Sequence, residues 1–357
     1  MKFKTITPEE FDKFATTSPY KSFMQTSEIA KYREENGWIA YFFAVKDEKD
    51  KVLAATMLVA KPTFLGKSTF ITPGGPLLDL ENTKLTNFFF KHLSAYVKSH
   101  NGYVLTISPY YELVERDRDG KPTENGFNHQ KSLKNLLNLG FRPIKDSSQP
   151  KYLFAMDLNN RTPDQLLADF KRNTRNHIRK AEKMGVKIRE ISKDELPLLK
   201  QITESTSKRR HFTDRPLSYY EQMYDLFHSK GKVKFIIAEA EIDGKNTPLS
   251  AAMFMTYGNE VVYLFSGSDE KYMREYNAQY LIQWHMIKYA AEHRFRRYNF
   301  YGINGLPDPS SKDYGIYDFK KGFGGQVIEL IGSYELPTSP LYFAHRALIN
   351  LKSKLKK

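Results

Sequence analysis

Short hydrophobic segments flank a polar turn in two parts of the chain. In residues 38–60 the apolar runs WIAYFFAV and VLAATMLVA lie on either side of KDEKDK, and in residues 234–257 KFIIAEAEI and LSAAMFMTY lie on either side of DGKNTP. Two apolar runs joined by a short polar turn are typical of a β-hairpin. The pattern therefore predicts two hairpins of the same design in distant parts of the sequence.

The same elements follow each hairpin. A further strand region comes first, then a helical pattern, and then a short strand. The helices read LTNFFFKHLSAYVKSH and AQYLIQWHMIKYAAEH, and the strands after them read GYVLTIS and RRYNFYGI. The order β-β-β-α-β therefore occurs twice, at a spacing too long for a solenoid repeat. It predicts two mixed α/β domains of common ancestry.

A polar segment, SSQPK at residues 147–151, separates the two halves and is typical of a linker. The predicted first domain comprises residues 1–150 together with a returning C-terminal helix in residues 332–357. The predicted second domain comprises residues 151–331.

The C-terminal segment LPTSPLYFAHRALINLKSKLKK is predicted to be a helix, with Ser339 and Pro340 at its start. Its apolar stripe contains Leu341, His345, Leu348, Leu351 and Leu355, and its basic end contains Lys352, Lys354, Lys356 and Lys357. We favour the interpretation that this helix docks on a domain. The alternative is peripheral contact of its basic end with anionic lipids at the inner membrane surface.

Composition narrows the class of protein. The 357 residues are 40% hydrophobic and 14% aromatic, which is enough apolar material for two domain cores. The formal net charge of +14 favours an anionic partner. Since there is no cysteine, disulfides, thiolate metal sites and cysteine nucleophiles are excluded. The start MKFKTITPEEFDKF has no apolar signal-peptide segment, and no run is long enough to span a bilayer, so we expect a cytoplasmic protein.

The segment from Thr162 to Gly185 is predicted to be one amphipathic helix. Thr162 and Gln165 form a capping box at its start, and Gly185 is a stop signal. One flank carries four cations at four-residue spacing, Lys171, Arg175, Arg179 and Lys183. This flank is either a solvated face or a contact for a polyanion, because like charges in one row repel one another.

Several familiar catalytic motifs are missing from the sequence. We find no metal-ligand spacing such as HExxH, no Walker loop, no GxGxxG after a strand and no GxSxG elbow. The β-β-β-α-β order favours the GNAT-type acyltransferase fold, which normally binds acetyl-coenzyme A at a glycine-rich turn before its central helix. The corresponding turns here, LLDLENTKL and DEKYMREYNA, contain no glycine. We therefore expect neither half to bind acetyl-coenzyme A.

Short patterns along almost the whole chain resemble the FemABX family of non-ribosomal peptidyltransferases. They are MQTSEIAKYREENGW, ITPGGPLLD, RNTRNHIRKAEKMGV, FTDRPLSYY, YLFSGS and DYGIYDFKKGFGG. The resemblance implies two GNAT-type α/β domains packed together. Some members have a helical coiled-coil arm in the second domain. Because Arg215 to Phe235 contains one helical pattern, YYEQMYDLFHSKG, the chain is similar to the armless members.

The resemblance implies a diphosphate-binding pair of basic side chains. One is Arg215 of an RPxxY motif, with Thr213 and Tyr219 beside it as substrate contacts. A planar guanidinium suits such a role because it binds phosphate oxygens in a bidentate manner. The other lies on the first helix, where we favour Arg33 over Lys31; only one of them should contact phosphate, since they face different sides of a helix.

The resemblance also implies that Lys320, in DFKKGFGG, stabilises charge as an amine attacks an aminoacyl ester; Lys321 is the adjacent alternative. Tyr263 and Tyr103 are further expected substrate contacts. The chain departs from the family pattern at Ser108, where relatives often have Asp, and at Phe265, where they have Tyr. No general base is therefore evident, which favours proton transfer assisted by the substrate.

The implied activity is aminoacyl-tRNA-dependent transfer of an amino acid to the stem peptide of a peptidoglycan precursor. The acceptor would be UDP-MurNAc-pentapeptide, which the missing arm favours, or the lipid-linked form, which the basic tail leaves open. Arg175, Arg179 and Lys183 are candidate tRNA contacts. We expect no cofactor, no metal and no DNA partner. The alternatives are a coenzyme A-dependent small-molecule acyltransferase and a non-enzymatic RNA-binding protein.

Overall fold

The computed structural model describes residues 1–145, 147–210 and 213–354, with side chains as far as residue 348. The chain forms two compact units. The first unit contains Met1–Glu115, Thr123–Lys151 and Glu329–Lys357, and the second contains Arg116–Pro122 and Tyr152–Ile328. The expected boundaries at 150/151 and 331/332 lie close to these divisions. Nothing in the sequence pattern indicated that Arg116–Pro122 belongs with the second unit.

The first half of the chain begins with a strand and ends just before the linker. In chain order its elements are β1 (Lys2–Thr5), α1 (Pro8–Thr17), α2 (Ser27–Glu35), β2 (Ile39–Lys46), β3 (Val52–Pro62), β4 (Ser68–Thr72), α3 (Thr83–Ser99), β5 (Gly102–Ile107), β6 (Glu112–Glu115), α4 (Gln130–Asn138) and β7 (Arg142–Pro143).

The second half continues from the linker and then returns to the first unit. Its elements are β8 (Tyr152–Asp157), α5 (Pro163–Asp169), α6 (Arg172–Lys183), β9 (Lys187–Glu190), α7 (Leu196–Arg210), α8 (Leu217–Phe227), β10 (Val233–Ile242), β11 (Lys245–Tyr257), β12 (Glu260–Ser268), α9 (Met273–Tyr276), α10 (Ala278–Glu292), β13 (Arg297–Ile303), α11 (Tyr314–Lys321), β14 (Gln326–Leu330), β15 (Tyr334–Pro337) and α12 (Leu341–Lys354).

The repeated order predicted from the sequence is confirmed. The antiparallel hairpins are β2–β3 and β10–β11. In each half a third strand and a helix follow, and the next strand pairs parallel with the third, as β4 with β5 and β12 with β13. The first-unit strands are hydrogen-bonded in the order β1-β2-β3-β4-β5-β15-β7. In the second unit the order runs β8-β13-β12-β11-β10-β9.

Each sheet is covered by the helix that the sequence predicts after its third strand. Helix α3 buries Phe89, Leu93 and Val97 against the first sheet. Helix α10 is apolar on most of its surface and buries Ile282 and Met286 against the second. Removing these side chains from water is the main favourable contribution to the stability of each unit.

The predicted single helix over Thr162–Gly185 is wrong, because the structure has two helices there. The capping box of Thr162 and Gln165 is present and starts α5. Phe170 then leaves helical geometry with a ψ angle of 147° and buries its ring against Trp284 and Phe323. Burial of this large ring outweighs continuation of the helix. Helix α6 begins two residues later and buries Thr174, Ile178 and Ala181.

Arg175 joins the two helices. One of its guanidinium nitrogens donates hydrogen bonds of 2.7 Å to the carbonyl oxygens of Ala168 and Phe170, at the end of α5. Carbonyls at a helix end have no partner within the helix. Arg175 is half-buried by this contact, whereas Arg179, one turn later, is exposed.

The C-terminal stripe is partly wrong. Helix α12 forms, but Tyr342 is its buried side chain, packed with Tyr103 and Val104, while Leu348 is 58% exposed. The predicted stripe positions Leu351 and Leu355 and the basic end lie outside the described side chains. Among the helices that the structure describes, none is long and apolar enough to cross a membrane.

We predict that Arg175→Ala lowers the free energy of unfolding by about 1–2 kcal/mol, because two carbonyls at the end of α5 lose a charged donor. Urea denaturation measures this. The matched control Arg179→Ala removes an exposed cation from the same helix and should stay within about 0.5 kcal/mol of the parent. Equal effects of the two substitutions would show that Arg175 does not join the helices.

Candidate active site

The second sheet opens where β12 and β13 part. Their parallel pairing joins Glu260–Val262 to Arg297–Asn299 and extends no further within the described residues. On its other side β13 has a bulge against β8 between Asn299 and Gly302. At this bulge Tyr301 has a φ angle of 63° and its N–H donates to the Asn299 side chain at 2.7 Å. A left-handed non-glycine residue is strained, and such strain is found preferentially at functional sites.

Lys320 lies against this bulge. It is in the last turn of α11, its side chain is 5% exposed, and its Nζ donates to the carbonyl oxygens of Gly302 at 2.6 Å and Tyr301 at 3.4 Å. Burial lowers the pKa of Lys320 to about 7. Its neighbour Lys321 instead forms an ion pair with Asp119. The two candidate lysines thus lie in the same turn of α11 but differ completely in environment.

Residues 116–122, which we call the 116–122 loop, contact α11 and the strand that follows it. The Tyr317 hydroxyl donates to the carbonyl oxygen of Arg118, and Lys321 pairs with Asp119. The N–H of Val327, in β14, donates to the Asp117 carbonyl oxygen at 3.2 Å. The 116–122 loop therefore fixes the helix that carries Lys320. Sequence reasoning missed this role, because the polar residues of the loop are those of an ordinary surface turn.

Arg215 is the exposed member of the site. Its guanidinium carbon lies 5.4 Å from the centre of the Tyr219 ring and 5.6 Å from that of Phe265. The same positive charge opposes the effect of burial on Tyr301, whose pKa is nevertheless raised to about 12. Arg215, Tyr219 and Tyr301 thus lie in one region of the second unit. Phe265 supplies a ring face to the guanidinium.

Asp214, which sequence reasoning did not single out, anchors the segment before Arg215. Its nearly buried carboxylate accepts hydrogen bonds from four donors. They are Lys200 Nζ at 2.6 Å, the Arg215 N–H at 2.8 Å, the Thr203 hydroxyl at 2.9 Å and the Tyr220 hydroxyl at 3.1 Å. A buried carboxylate needs such donors, and they fix the backbone at Arg215. Thr213, just before it, is exposed.

Tyr263 follows the last residue of β12 that pairs with β13. Its hydroxyl contacts the Ser266 hydroxyl and accepts a 2.9 Å hydrogen bond from Gln279 Nε2. The Ser250 hydroxyl donates to Gln279 Oε1 at 2.5 Å. Burial raises the pKa of Tyr263 to about 12, so the ring is neutral at physiological pH. Gln279 was also missed by sequence reasoning, since one polar residue in the first turn of a helix carries no signal.

The remaining candidates lie in the first unit. Arg33 and Lys31 are on α2, the second helix of the chain rather than the first. Arg33 is half-buried with its guanidinium 5.3 Å from the centre of the Trp38 ring, and Lys31 is exposed. Tyr103 is 7% exposed and packs edge-on against His345 of α12. Its hydroxyl lies 3.5 Å from His345 Nδ1. These contacts of Tyr103 are structural, because they join β5 to α12.

A model of the FemAB family matches residues 6–245 and 239–351 of the chain. The chain belongs to the FemAB family. It is 29% identical to Aminoacyltransferase FemA of Staphylococcus aureus (strain MRSA252) over 421 aligned positions, which cover 99% of the chain and 100% of FemA. Since that alignment is longer than the 357-residue chain, FemA carries insertions relative to it. These relationships make the chain an aminoacyltransferase.

Solved structures confirm the fold class. The crystal structure of FemX superposes with a TM-score of 0.83 at 22% identity, covering 96% of this chain and 99% of FemX. A tandem GNAT protein from the clavulanic acid biosynthesis pathway gives a TM-score of 0.57 at 13% identity, covering 95% and 99%. The chain is thus a tandem GNAT-type α/β protein. From Arg215 to Phe235 the chain contains α8, one short 3-10 turn and the start of β10, and no coiled-coil arm, as predicted.

We predict that the free energy of unfolding rises by about 2 kcal/mol between pH 7.5 and 9.5. In this range the unfolded chain holds a proton on Lys320 that the folded chain has released, and stability rises with pH wherever the unfolded state binds more protons. Urea denaturation at three pH values measures the rise.

Lys320→Met should remove most of this pH dependence, whereas Lys312→Met, at an exposed lysine before the same helix, should keep it. If Lys320→Met unfolds with the parent's pH dependence, Lys320 is not the buried titrating group.

Proposed function

We propose that this aminoacyltransferase takes an amino acid from aminoacyl-tRNA and attaches it to an amine of the stem peptide of a peptidoglycan precursor, building the interpeptide cross-bridge. One observation carries the proposal. In a chain of the FemAB family, Lys320 lies buried at the parting of β12 and β13, in the same unit as the exposed Arg215.

Arg215 suits the phosphate-binding part of the precursor. Its backbone N–H is held by Asp214, and aromatic rings flank the guanidinium. A guanidinium arranged in this way gives bidentate hydrogen bonds to phosphate oxygens with little loss of side-chain entropy. In the first unit, Arg33, whose guanidinium lies over the ring of Trp38, is the other proposed phosphate contact, with the exposed Lys31 as its alternative.

The exposed face of α6 suits the phosphate backbone of tRNA. Arg172, Arg179, Lys180 and Lys183 are exposed there. Arg175, by contrast, is occupied with the end of α5, so the proposed contact is carried by its neighbours. Such a surface would bind mainly through counterion release and would therefore weaken with salt.

The proposed reaction needs no further cofactor, because an aminoacyl ester is already activated towards an amine. Charged tRNA and nucleotide-linked precursors both occur in the cytoplasm, so a cytoplasmic location is part of the same proposal. The missing helical arm supports a soluble precursor as acceptor, and the lipid-linked precursor is the second acceptor to be tested.

We predict that the purified protein, incubated with a pool of charged tRNAs and UDP-MurNAc-pentapeptide, increases the acceptor mass by one amino acid. The measurement is mass spectrometry of the product, with the lipid-linked precursor and acetyl-coenzyme A in parallel reactions. Transfer from acetyl-coenzyme A, without transfer from tRNA, would identify a small-molecule acyltransferase instead.

In the same assay Arg215→Ala should lower kcat/KM about 10- to 100-fold, mainly by raising KM, because a charged hydrogen-bond donor is lost. Lys320→Ala should lower kcat at least about 100-fold. Arg274→Ala removes an exposed arginine of the same unit and should match the parent. Unchanged transfer in both site variants would overturn the site assignment.

For the tRNA surface, we predict that Arg179→Glu combined with Lys183→Glu weakens tRNA binding. The dependence of log affinity on log salt should become shallower by about 1 to 2, one phosphate contact being lost for each cation. Filter binding at several salt concentrations measures both. Lys91→Glu combined with Lys98→Glu makes the same change of charge on the exposed face of α3. An equal loss in the two double variants would mean that only the net charge matters.

A further inference from the structure

The hydrogen bonds of Lys320 match a neutral amine. A neutral –NH2 has two N–H donors and one lone pair, whereas an ammonium has three donors. The structure supplies two acceptors, the carbonyl oxygens of Gly302 and Tyr301. Within the residues that the structure describes, no carboxylate lies at ion-pair distance from this nitrogen. The two carbonyls therefore satisfy both donors of the neutral form and leave its lone pair unused.

The charged and titratable groups on the elements packed against α11 are engaged elsewhere. Lys171 pairs with Asp318, Lys321 with Asp119, and Arg297 with Asp157 and Glu260. Tyr317 and Tyr298 donate to Arg118 and Gln283, Tyr301 lies in the field of Arg215, and His177 stacks on Tyr280. None of these groups supplies a counter-charge to Lys320, so burial acts on it without compensation.

We propose that Lys320 is the proton carrier of the transfer reaction, as the base towards the attacking amine and then as the acid towards the departing ribose oxygen. This inference rests on the proposed function and adds a role that the sequence did not indicate, since no general base was expected from it.

Lys320 takes up one proton from the attacking amine and passes it to the ribose oxygen before the products leave. The acceptor nitrogen attacks the ester carbonyl carbon, a C–N bond forms, and the carbonyl oxygen becomes an oxyanion. The nitrogen, now positively charged, gives its proton to the lone pair of Lys320 Nζ. The oxyanion reforms the carbonyl, and the C–O bond to the ribose breaks. The Lys320 ammonium then protonates the ribose oxygen and returns to the neutral amine, leaving an amide and uncharged tRNA.

The other titratable groups near the parting of β12 and β13 suit this role poorly. Burial raises the pKa values of Tyr263 and Tyr301 to about 12, so both hold their protons at neutral pH. Burial instead lowers the pKa of Lys320 to about 7. A group with a pKa near the working pH can both accept and release a proton efficiently. Arg215 cannot serve as a base, since a guanidinium does not lose its proton in proteins.

The test compares Lys320→Arg with Lys320→Ala under single-turnover conditions. Arg keeps a positive charge but cannot take up a proton. We expect Lys320→Arg to lose at least about 100-fold in rate, within the range of general acid–base catalysis. We expect added small amines to restore part of the rate of Lys320→Ala, more strongly as their basicity increases. The parent rate should show an inflection near pH 7 that is absent from both variants, apart from the slope caused by the acceptor's own amine.

Two controls keep the outcomes distinct. Lys312→Ala removes an exposed lysine before α11 and should match the parent, and calorimetry should show that both Lys320 variants still bind the precursor. If Lys320→Arg retains most of the rate, or if rescue does not depend on amine basicity, Lys320 acts only as a charge and the proton-carrier role is overturned. If the parent itself transfers no amino acid to either acceptor, the proposed function fails instead.

Discussion

The candidate site depends on the early end of the parallel pairing between β12 and β13. A strand edge that loses its partner leaves backbone groups that must be satisfied in another way. Here the bulge in β13 presents the carbonyls of Tyr301 and Gly302 to a lysine from the following helix. The split sheet therefore creates both the opening and the hydrogen-bonding environment of Lys320. The corresponding strands of the first unit, β4 and β5, pair over a longer stretch from Ser68 to Thr72.

The site combines two costs to stability in one place. A non-glycine residue is held at positive φ, and a lysine is buried without a counter-ion. Each would be selected against in a purely structural part of a protein. Both persist because the surrounding structure is strong. Helix α10 and the aromatic rings of Phe300 and Phe323 pack closely behind the bulge. Rigid packing of this kind is what allows one strained turn to keep its geometry.

Much of the fold could be predicted from the sequence, because apolar runs and turns report directly on hairpins. The two hairpins, both covering helices and the capping box at Thr162 all lie where the pattern indicates. The break at Phe170 could not be found in this way, since helical periodicity continues through it. What ends the helix is a tertiary contact, the burial of one ring between Trp284 and Phe323, which lie far away in the sequence.

The site was less predictable for a similar reason. Family resemblance indicated Lys320 and Arg215 by position, but lysine is ordinarily an exposed residue, and no local pattern announces a buried one. Lys320 is buried where its Nζ meets the carbonyls of the β13 bulge, which lies on a different element from Lys320. Asp214 and Gln279 were missed because each acts by hydrogen bonding to residues of other elements, as Asp214 does with Lys200 and Gln279 with Tyr263.

The 116–122 loop has a consequence for how the molecule can evolve. It belongs to the first half of the chain but is folded into the second unit, while β15 and α12 return to the first unit. The two units are therefore interleaved along the chain, and no single cut separates them. If the units arose by duplication of one ancestral domain, neither is now encoded by a single contiguous segment of the gene. The two units can then be exchanged between genes only together.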